Sequence, residues 1–260
     1  MTEHRRYSLI DAIRGIAVVN MVIYHLCYDI FCAFGVWSSF YRAVPVIIWE
    51  RLICSTFIII SGISLHFTRH GFRRGLIVTL CGIVTTVVTV IFTPDQSIFF
   101  GVLSFIGCAM LLTYALHRLL DRMNPYVGAI LFFLLFVLCY NIPNGTLGFF
   151  SAPLIHLPDA LYQFKWLAFL GFPSNDFFSA DYFPLLPWLF LYLFGYQLWR
   201  IITQRRLERL FLGRIPVLDF IGRRDLHRGK FLSVFEDGGI PAVFSHHADV
   251  HAVLRTWPGS

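Results

Sequence analysis

From Gly75 to Phe92 the chain carries no charged side chain, and a run of this kind narrows the possible folds more than any other feature. About 18 or more apolar residues wound as a helix reach across the roughly 30 Å of a bilayer's hydrocarbon. A helix also satisfies its own backbone polar groups where no water can. Similar windows recur along the chain, and they predict six spans at 9–34, 44–66, 75–92, 97–117, 126–141 and 184–203. Composition agrees: hydrophobic residues make up 57% and charged residues 14%, against roughly 25% charged in an ordinary globular chain. The expected fold class is therefore all-α, a polytopic bundle of about six transmembrane helices with a long external aromatic loop and a C-terminal tail outside the membrane.

The charges that remain set the orientation. Lys and Arg total 21 against 15 Asp and Glu, a surplus that elsewhere would suggest nucleic acid. Here the basic residues cluster in alternate loops. Arg5 and Arg6 precede the first span, and Arg69, Arg73 and Arg74 follow the second. Arg118 and Arg122 follow the fourth, and Arg200, Arg205, Arg206, Arg209 and Arg214 follow the sixth. The opposite loops hold only Arg42 and Lys165. The positive-inside rule then places both termini in the cytoplasm of a multi-pass inner-membrane protein, with lipid as its surroundings and no nucleic-acid partner. The cysteines, at 27, 32, 54, 81, 108 and 139, lack metal-site spacing and read as small apolar residues. The first apolar run is too long and too charged for a cleavable signal peptide.

Two stretches break the pattern. Residues 142–183 form a long external segment rich in Gly, Pro and aromatics, expected to contain an interfacial helix or re-entrant lid with its rings at headgroup level. From 223 to 260 the apolar character stops, so the chain divides into a membrane domain, 1–222, and an atypical hydrophilic tail. That tail holds His246, His247, Asp249 and His251, too sparse a set to predict a metal site.

Ionisable groups inside a span are costly and usually face a bundle interior or water. The first span has four: Asp11, Arg14, His25 and Asp29. At about 100° per residue they share an arc of roughly 60° and form one stripe some 27 Å long. Asp11 and Arg14 are i,i+3 partners able to neutralise each other. His25 and Asp29 are i,i+4 neighbours, the arrangement in which a carboxylate orients an imidazole that acts as a base. A purely structural polar pair has the same spacing. Glu50 and Arg51 on the second span are candidates for an ion pair with each other, or for Arg51 with a first-span carboxylate. Gly101, Ser104 and Gly107 suggest close helix packing. Pro184, Pro187 and Trp188 open the sixth span, with Asp181 expected to cap it or to point into an externally facing site.

Four segments carry a resemblance: YSLIDAIRGIAVVNMVIYHLCYD, FIIISGISLHFTRHGFRRG, FFGVLSFIGCAMLL and DYFPLLPWLFLYLFGYQLWR. In that order they resemble the bacterial relatives of the heparan-alpha-glucosaminide N-acetyltransferase catalytic domain, within the wider transmembrane acyltransferase group. The resemblance covers about residues 5–222 and implies acetyl transfer from cytoplasmic acetyl-CoA to a sugar or other small acceptor across the membrane, without a metal. It implies His25 and Asp29 as catalytic groups and Asp11 and Arg14 at the acyl-CoA mouth. Ser104, Asp181 and Trp188 fall on the acceptor side, although relatives often have a histidine at the Ser104 position. Both direct transfer and an acyl-His25 intermediate remain open, as does oligomerisation. The residues PVLDFIGRRDLH begin like the family's last helix and then turn hydrophilic, as a reading-frame shift near Arg223 would produce. A transporter or flippase, and a non-catalytic membrane subunit, are the competing functional readings.

Overall fold

The structure, a computed structural model of the chain, describes residues 7–28, 30–31, 43–68, 70–149 and 152–212. Asp29, Cys32, Arg42, Arg69, Arg214 and the whole hydrophilic tail with its histidines lie outside the described residues. Six helices are long and apolar enough to cross a membrane: α1 (Ser8–Tyr28), α2 (Val44–Ser64), α3 (Gly71–Phe92), α4 (Val102–Arg122), α5 (Pro125–Cys139) and α6 (Leu185–Gln204). All six predicted spans are present. A 3₁₀ turn, Leu65–Phe67, lengthens α2, and another, Ile142–Asn144, follows the short α5.

Two boundaries moved for identifiable reasons. The third helix begins at Gly71, four residues before the predicted 75, because the exposed Arg73 and Arg74 extend their long side chains away from the apolar surroundings. The fourth begins at Val102 and not at 97. Phe100 holds φ at 54°, a left-handed conformation that a helix cannot include and that is uncommon for a residue with a Cβ. Its carbonyl accepts the Phe183 N–H at 2.9 Å, and Ala180 N–H donates to Ser97 O at 3.0 Å, so strand-like bonds to the far loop hold the backbone there.

Lipid supplies no hydrophobic drive between helices, so association rests on close packing and hydrogen bonds. The small-residue positions read from the sequence serve that purpose. A Cβ on Gly82 of α3 would lie 2.6 Å from Ser104 N, and one on Gly107 of α4 would lie 2.7 Å from Thr79 Cα. Both approaches close only without a side chain. The main core joins α2, α4, α5 and α6 through Ile58, Phe105, Ala109, Phe136, Trp188 and Tyr192. A second cluster ties the foot of α1 to α2 and α6 through Ile10, Ile60, Ile63, Trp199 and Ile202. Beyond that foot α1 is lightly packed: Ile16, Val19, Val22 and Leu26 are exposed.

The long loop differs from expectation. In place of an interfacial helix it contains a two-stranded antiparallel hairpin, β1 (Thr146–Phe149) and β2 (Ala152–His156), with Thr146 opposite His156 and an irregularity after Leu147. Short 3₁₀ turns follow at Asp159–Tyr162 and Lys165–Leu170. Pro143, Pro153 and Pro158, with Gly145 and Gly148, recur too often for three helical turns to form among residues 143–158. Aromatic side chains, Phe149, Phe164, Trp166 and Phe178, remain exposed on this layer.

The connections α2–α3 and α4–α5 lie at one end of the bundle, and α3–α4 and α5–α6 at the other. Arg73, Arg74, Arg118, Arg122, Arg200, Arg205 and Arg206 all belong to the first, here termed the basic end; the hairpin layer defines the loop end.

Candidate functional site

The stripe of α1 is divided between the two ends. Asp11 and Arg14 occupy the basic end, where Arg14 meets the Asp11 carboxylate at 3.6 Å and also donates to Ser64 Oγ of α2. The i,i+3 pairing read from the sequence is therefore formed, with Arg14 half-buried and Asp11 exposed. Fourteen residues further, about 21 Å along the axis, stands His25. The two halves share a helix face but not a site.

His25 Nδ1 lies 2.8 Å from the Met21 carbonyl oxygen. A carbonyl only accepts, so the neutral ring carries its proton on Nδ1 and leaves the Nε2 lone pair available. Backbone one turn away thus holds the Nδ1 proton, while Asp29, the residue expected to orient this ring, lies outside the described residues. His25 is exposed and its ring meets Tyr24 edge-on at 5.8 Å. Tyr24 in turn donates to Glu50 Oε2 at 3.3 Å, and Trp49 Nε1 donates to Asn20 Oδ1 at 3.3 Å. These two bonds fasten the upper part of α1 to the start of α2.

Asp181 reaches the same neighbourhood from the loop. It does not cap α6; its Oδ2 accepts the Val102 N–H at 3.0 Å, capping α4 across 79 residues. Gly101 is what permits this, since a Cβ there would lie 2.8 Å from that oxygen. Ser179 supports the turn, accepting from Phe99 N–H and donating to the Asp181 carbonyl, both at 2.9 Å. Burial pushes the Asp181 carboxyl above its ordinary value, the Val102 N–H and His25 pull it down, and Glu50 pushes it up again, with burial dominant. His25, Glu50 and Asp181 therefore form one electrostatic neighbourhood at the loop end.

Beside it lies a cavity of about 140 Å³ bordered by Arg51, Tyr140, Asn144, Tyr182, Pro187 and Trp188. Arg51 is not directed at Glu50; its guanidinium carbon stands 5.9 Å from the centre of the Trp188 ring. Trp188 is buried against Phe136, Tyr140 and Phe183. Tyr182 donates to Ala168 O at 2.6 Å, and burial raises its phenol, so the donor proton is retained. Ser104 is elsewhere, on the α3 seam against Gly82, and is not among the residues bordering the cavity.

The basic end is built differently. Arg200 donates to Leu120 O and Asp121 O at 2.7 Å, to Met123 O at 3.2 Å and to Gln197 Oε1 at 2.7 Å. Its Nε stands 3.8 Å from Asp121 Oδ1, which accepts from Tyr196 at 2.9 Å. This side chain closes the C-terminus of α4, whose last carbonyls have no partners within the helix. The sequence reading used Arg200 only as a topology marker. Its signal was the trio Tyr196, Gln197 and Arg200, polar residues on one face of an apolar helix. A wider cavity of about 390 Å³ opens beside it, bordered by His66, Trp199, Arg200, Thr203 and Gln204. There His66 stacks on Tyr196 with ring centres 4.2 Å apart.

Six membrane-length helices with ionisable groups gathered at their two ends define a multi-pass helical membrane protein. A family model described as heparan-alpha-glucosaminide N-acetyltransferase, catalytic, matches residues 6–228. The chain belongs to that family and is a membrane acyltransferase-like protein. Comparison with curated proteins and with solved structures returned no match.

Proposed function

We propose that the protein moves an acetyl group from acetyl-CoA, bound at the basic end, to a small or glycan acceptor presented at the loop end, with the basic end in the cytoplasm and the bundle in the cell membrane. The observation that carries this reading is the His25 ring: its proton is held on Nδ1 by Met21 O, which leaves Nε2 as a base on the helix that also bears Arg14. Family membership supplies the reaction class.

In the proposed reaction the acceptor's amine or hydroxyl gives its proton to His25 Nε2 as its nitrogen or oxygen attacks the thioester carbonyl. The carbon–sulfur bond breaks, and the CoA thiolate takes the proton back from the imidazolium. Asp29 and Asp181 are the carboxylates assigned to stabilise that cation. Arg14, held by Asp11 and Ser64, is the cation placed for the donor's phosphates. The cavity at the basic end falls within the range of about 300–1,000 Å³ typical of small-molecule sites, and its Trp199 and His66 offer flat faces to the donor. Trp188 and the neighbouring loop-end cavity receive the acceptor.

Purified protein in nanodiscs, given labelled acetyl-CoA and a panel of amino sugars, tests the proposal. Transfer should fall at least about a hundredfold in His25→Ala. Undiminished transfer in that variant would remove His25 from the reaction. Movement of solute without CoA release would replace the proposal with transport.

A further inference from the structure

The layer at the loop end carries apolar surface of a kind that water does not support. All five residues of β2, Ala152–His156, are exposed. Leu154 and Ile155 are neighbours in a strand and point to opposite faces, so neither face of the hairpin is covered there. Phe149 is exposed on β1, and Phe164, Trp166 and Phe178 are exposed in the segments that follow. None of residues 142–158 is Asp, Glu, Lys or Arg. A two-stranded hairpin is marginal in water at best, and this one has no charges to solvate it. Its stability calls for an apolar surrounding.

The height of the hairpin is fixed by α5. β1 packs against that helix. With its terminal 3₁₀ turn the helix runs from Pro125 to Asn144, 20 residues, or about 30 Å at helical rise. Tyr126 marks the start at the basic end, where its hydroxyl accepts from Arg205 Nε at 2.6 Å, a ring and a cation of the sort found where lipid meets water. Crossing roughly 30 Å of hydrocarbon from there brings Gly145 to the opposite boundary. The Leu157 N–H donates to Gly145 O at 2.9 Å, and Thr146 stands opposite His156, so the base of the hairpin is held at that level. The outward side of α5, with Val127, Ile130, Leu131 and Leu134 exposed, leads up to it.

The backbone then sets the depth. Among the described residues no strand pairs with the outer edge of β2, and hydrocarbon offers no partners to its N–H and C=O groups. Those groups need water, so the main chain belongs among headgroups while side chains reach the acyl boundary. Lys165 fits this depth. It is exposed between Phe164 and Trp166, whose ring centres are 6.3 Å apart, and its long stem lets the ammonium rise to phosphates while the rings settle below. A second chain adding a strand is a poorer occupant. Pro153 takes one N–H from β2, and edge pairing would leave Leu154 and Ile155 uncovered.

We propose that the hairpin and the Lys165–Leu170 turn lie along the bilayer surface as an interfacial anchor, with Leu154, Ile155, Phe164 and Trp166 seated in the headgroup zone of the leaflet at the loop end. The partner of this surface is the lipid itself. Pro143 and Asn144, at the root of the hairpin, also border the loop-end cavity, so the anchor sets the mouth of that cavity at headgroup depth.

Trp166 is the reporter for a test. The full chain and Trp166→Phe are each placed in nanodiscs at one chain per disc, and the difference between their emission spectra isolates that ring. This emission should lie toward the blue and should lose most of its intensity to lipids brominated near the headgroup end of the acyl chains. It should lose little to lipids brominated near the chain ends, and it should resist iodide in the water. Adding Ile155→Trp to Trp166→Phe puts a second reporter on β2, which should behave alike. Red-shifted emission that iodide quenches and neither lipid reaches overturns the proposal, because the layer then stands in water. Blue emission that neither lipid nor iodide reaches overturns it as well, since protein then covers the ring. Stronger quenching by the deep bromines contradicts the headgroup placement. Acetyl transfer enters none of these readings, so the anchor and the acyltransferase reading fail separately.

Discussion

The two ends of the bundle treat arginine in opposite ways. At the basic end Arg200 is wrapped in acceptors, and its bonds to Leu120, Asp121, Met123 and Gln197 join α6 to the last turn of α4. At the loop end Arg51 rests on Trp188 beside an open cavity. At that same end His25 keeps a lone pair available. A polar group whose bonding is complete supports the fold, and one with capacity to spare is placed to act on something else. This difference separates the ends more clearly than their shared polarity does.

The sharpest way to break the comparison is to truncate one group at each end. His25→Ala should lower acetyl transfer by about 10²–10⁴-fold, the usual contribution of a general base, with the unfolding midpoint in nanodiscs unchanged. Arg200→Ala should do the reverse, costing about 1–3 kcal/mol of stability because the part-buried carbonyls of Leu120 and Met123 lose their charged donor. Arg200→Lys should recover only part of that loss, as read by thermal unfolding. If the two variants exchanged these effects, the division between ends would fail.

Much of this architecture was legible in the sequence, because spanning a bilayer demands long uncharged runs and alternating charge. The small residues Gly107 and Ser104 announced close packing, and the seam with Gly82 and Thr79 supplied it. The i,i+3 pair of Asp11 and Arg14 was readable because its geometry is local. The hairpin was not: its strands are four and five residues long, and aromatic content masked the frequency of Pro and Gly. Nor was the cap of α4 by Asp181, which joins residues 79 apart, or the placement of Arg51 on Trp188 across the α2–α6 contact. One-dimensional spacing carries helix faces but not which loop returns to which helix end.

Smaller effects sharpen the picture at each end. Asp181→Ala should cost about 1 kcal/mol through loss of the α4 cap, and Asp181→Asn less, because its side-chain oxygen still accepts from Val102. The folded carboxyl binds its proton more tightly than the unfolded one, so the folded state holds more protons between the ordinary value of 3.8 and the raised one. Stability contributed by Asp181 is thus fully present below that window and falls as pH rises through it. Asp181→Asn should lack this fall in a comparison of unfolding midpoints across pH. Asp11→Asn comes last: its pair with Arg14 is largely solvated and worth a few tenths of a kcal/mol at most. Stability should barely move when unfolding midpoints of the two chains are compared.

The most direct measurement is vectorial transfer in sealed liposomes of known protein orientation, with labelled acetyl-CoA on the side of the basic end and an amino-sugar acceptor confined to the side of the hairpin. The account predicts labelled acceptor with the wild-type chain and at least about a hundredfold less with His25→Ala, while free CoA accumulates only on the donor side. Equal labelling by both chains, or labelling only when donor and acceptor share the hairpin side, would contradict it.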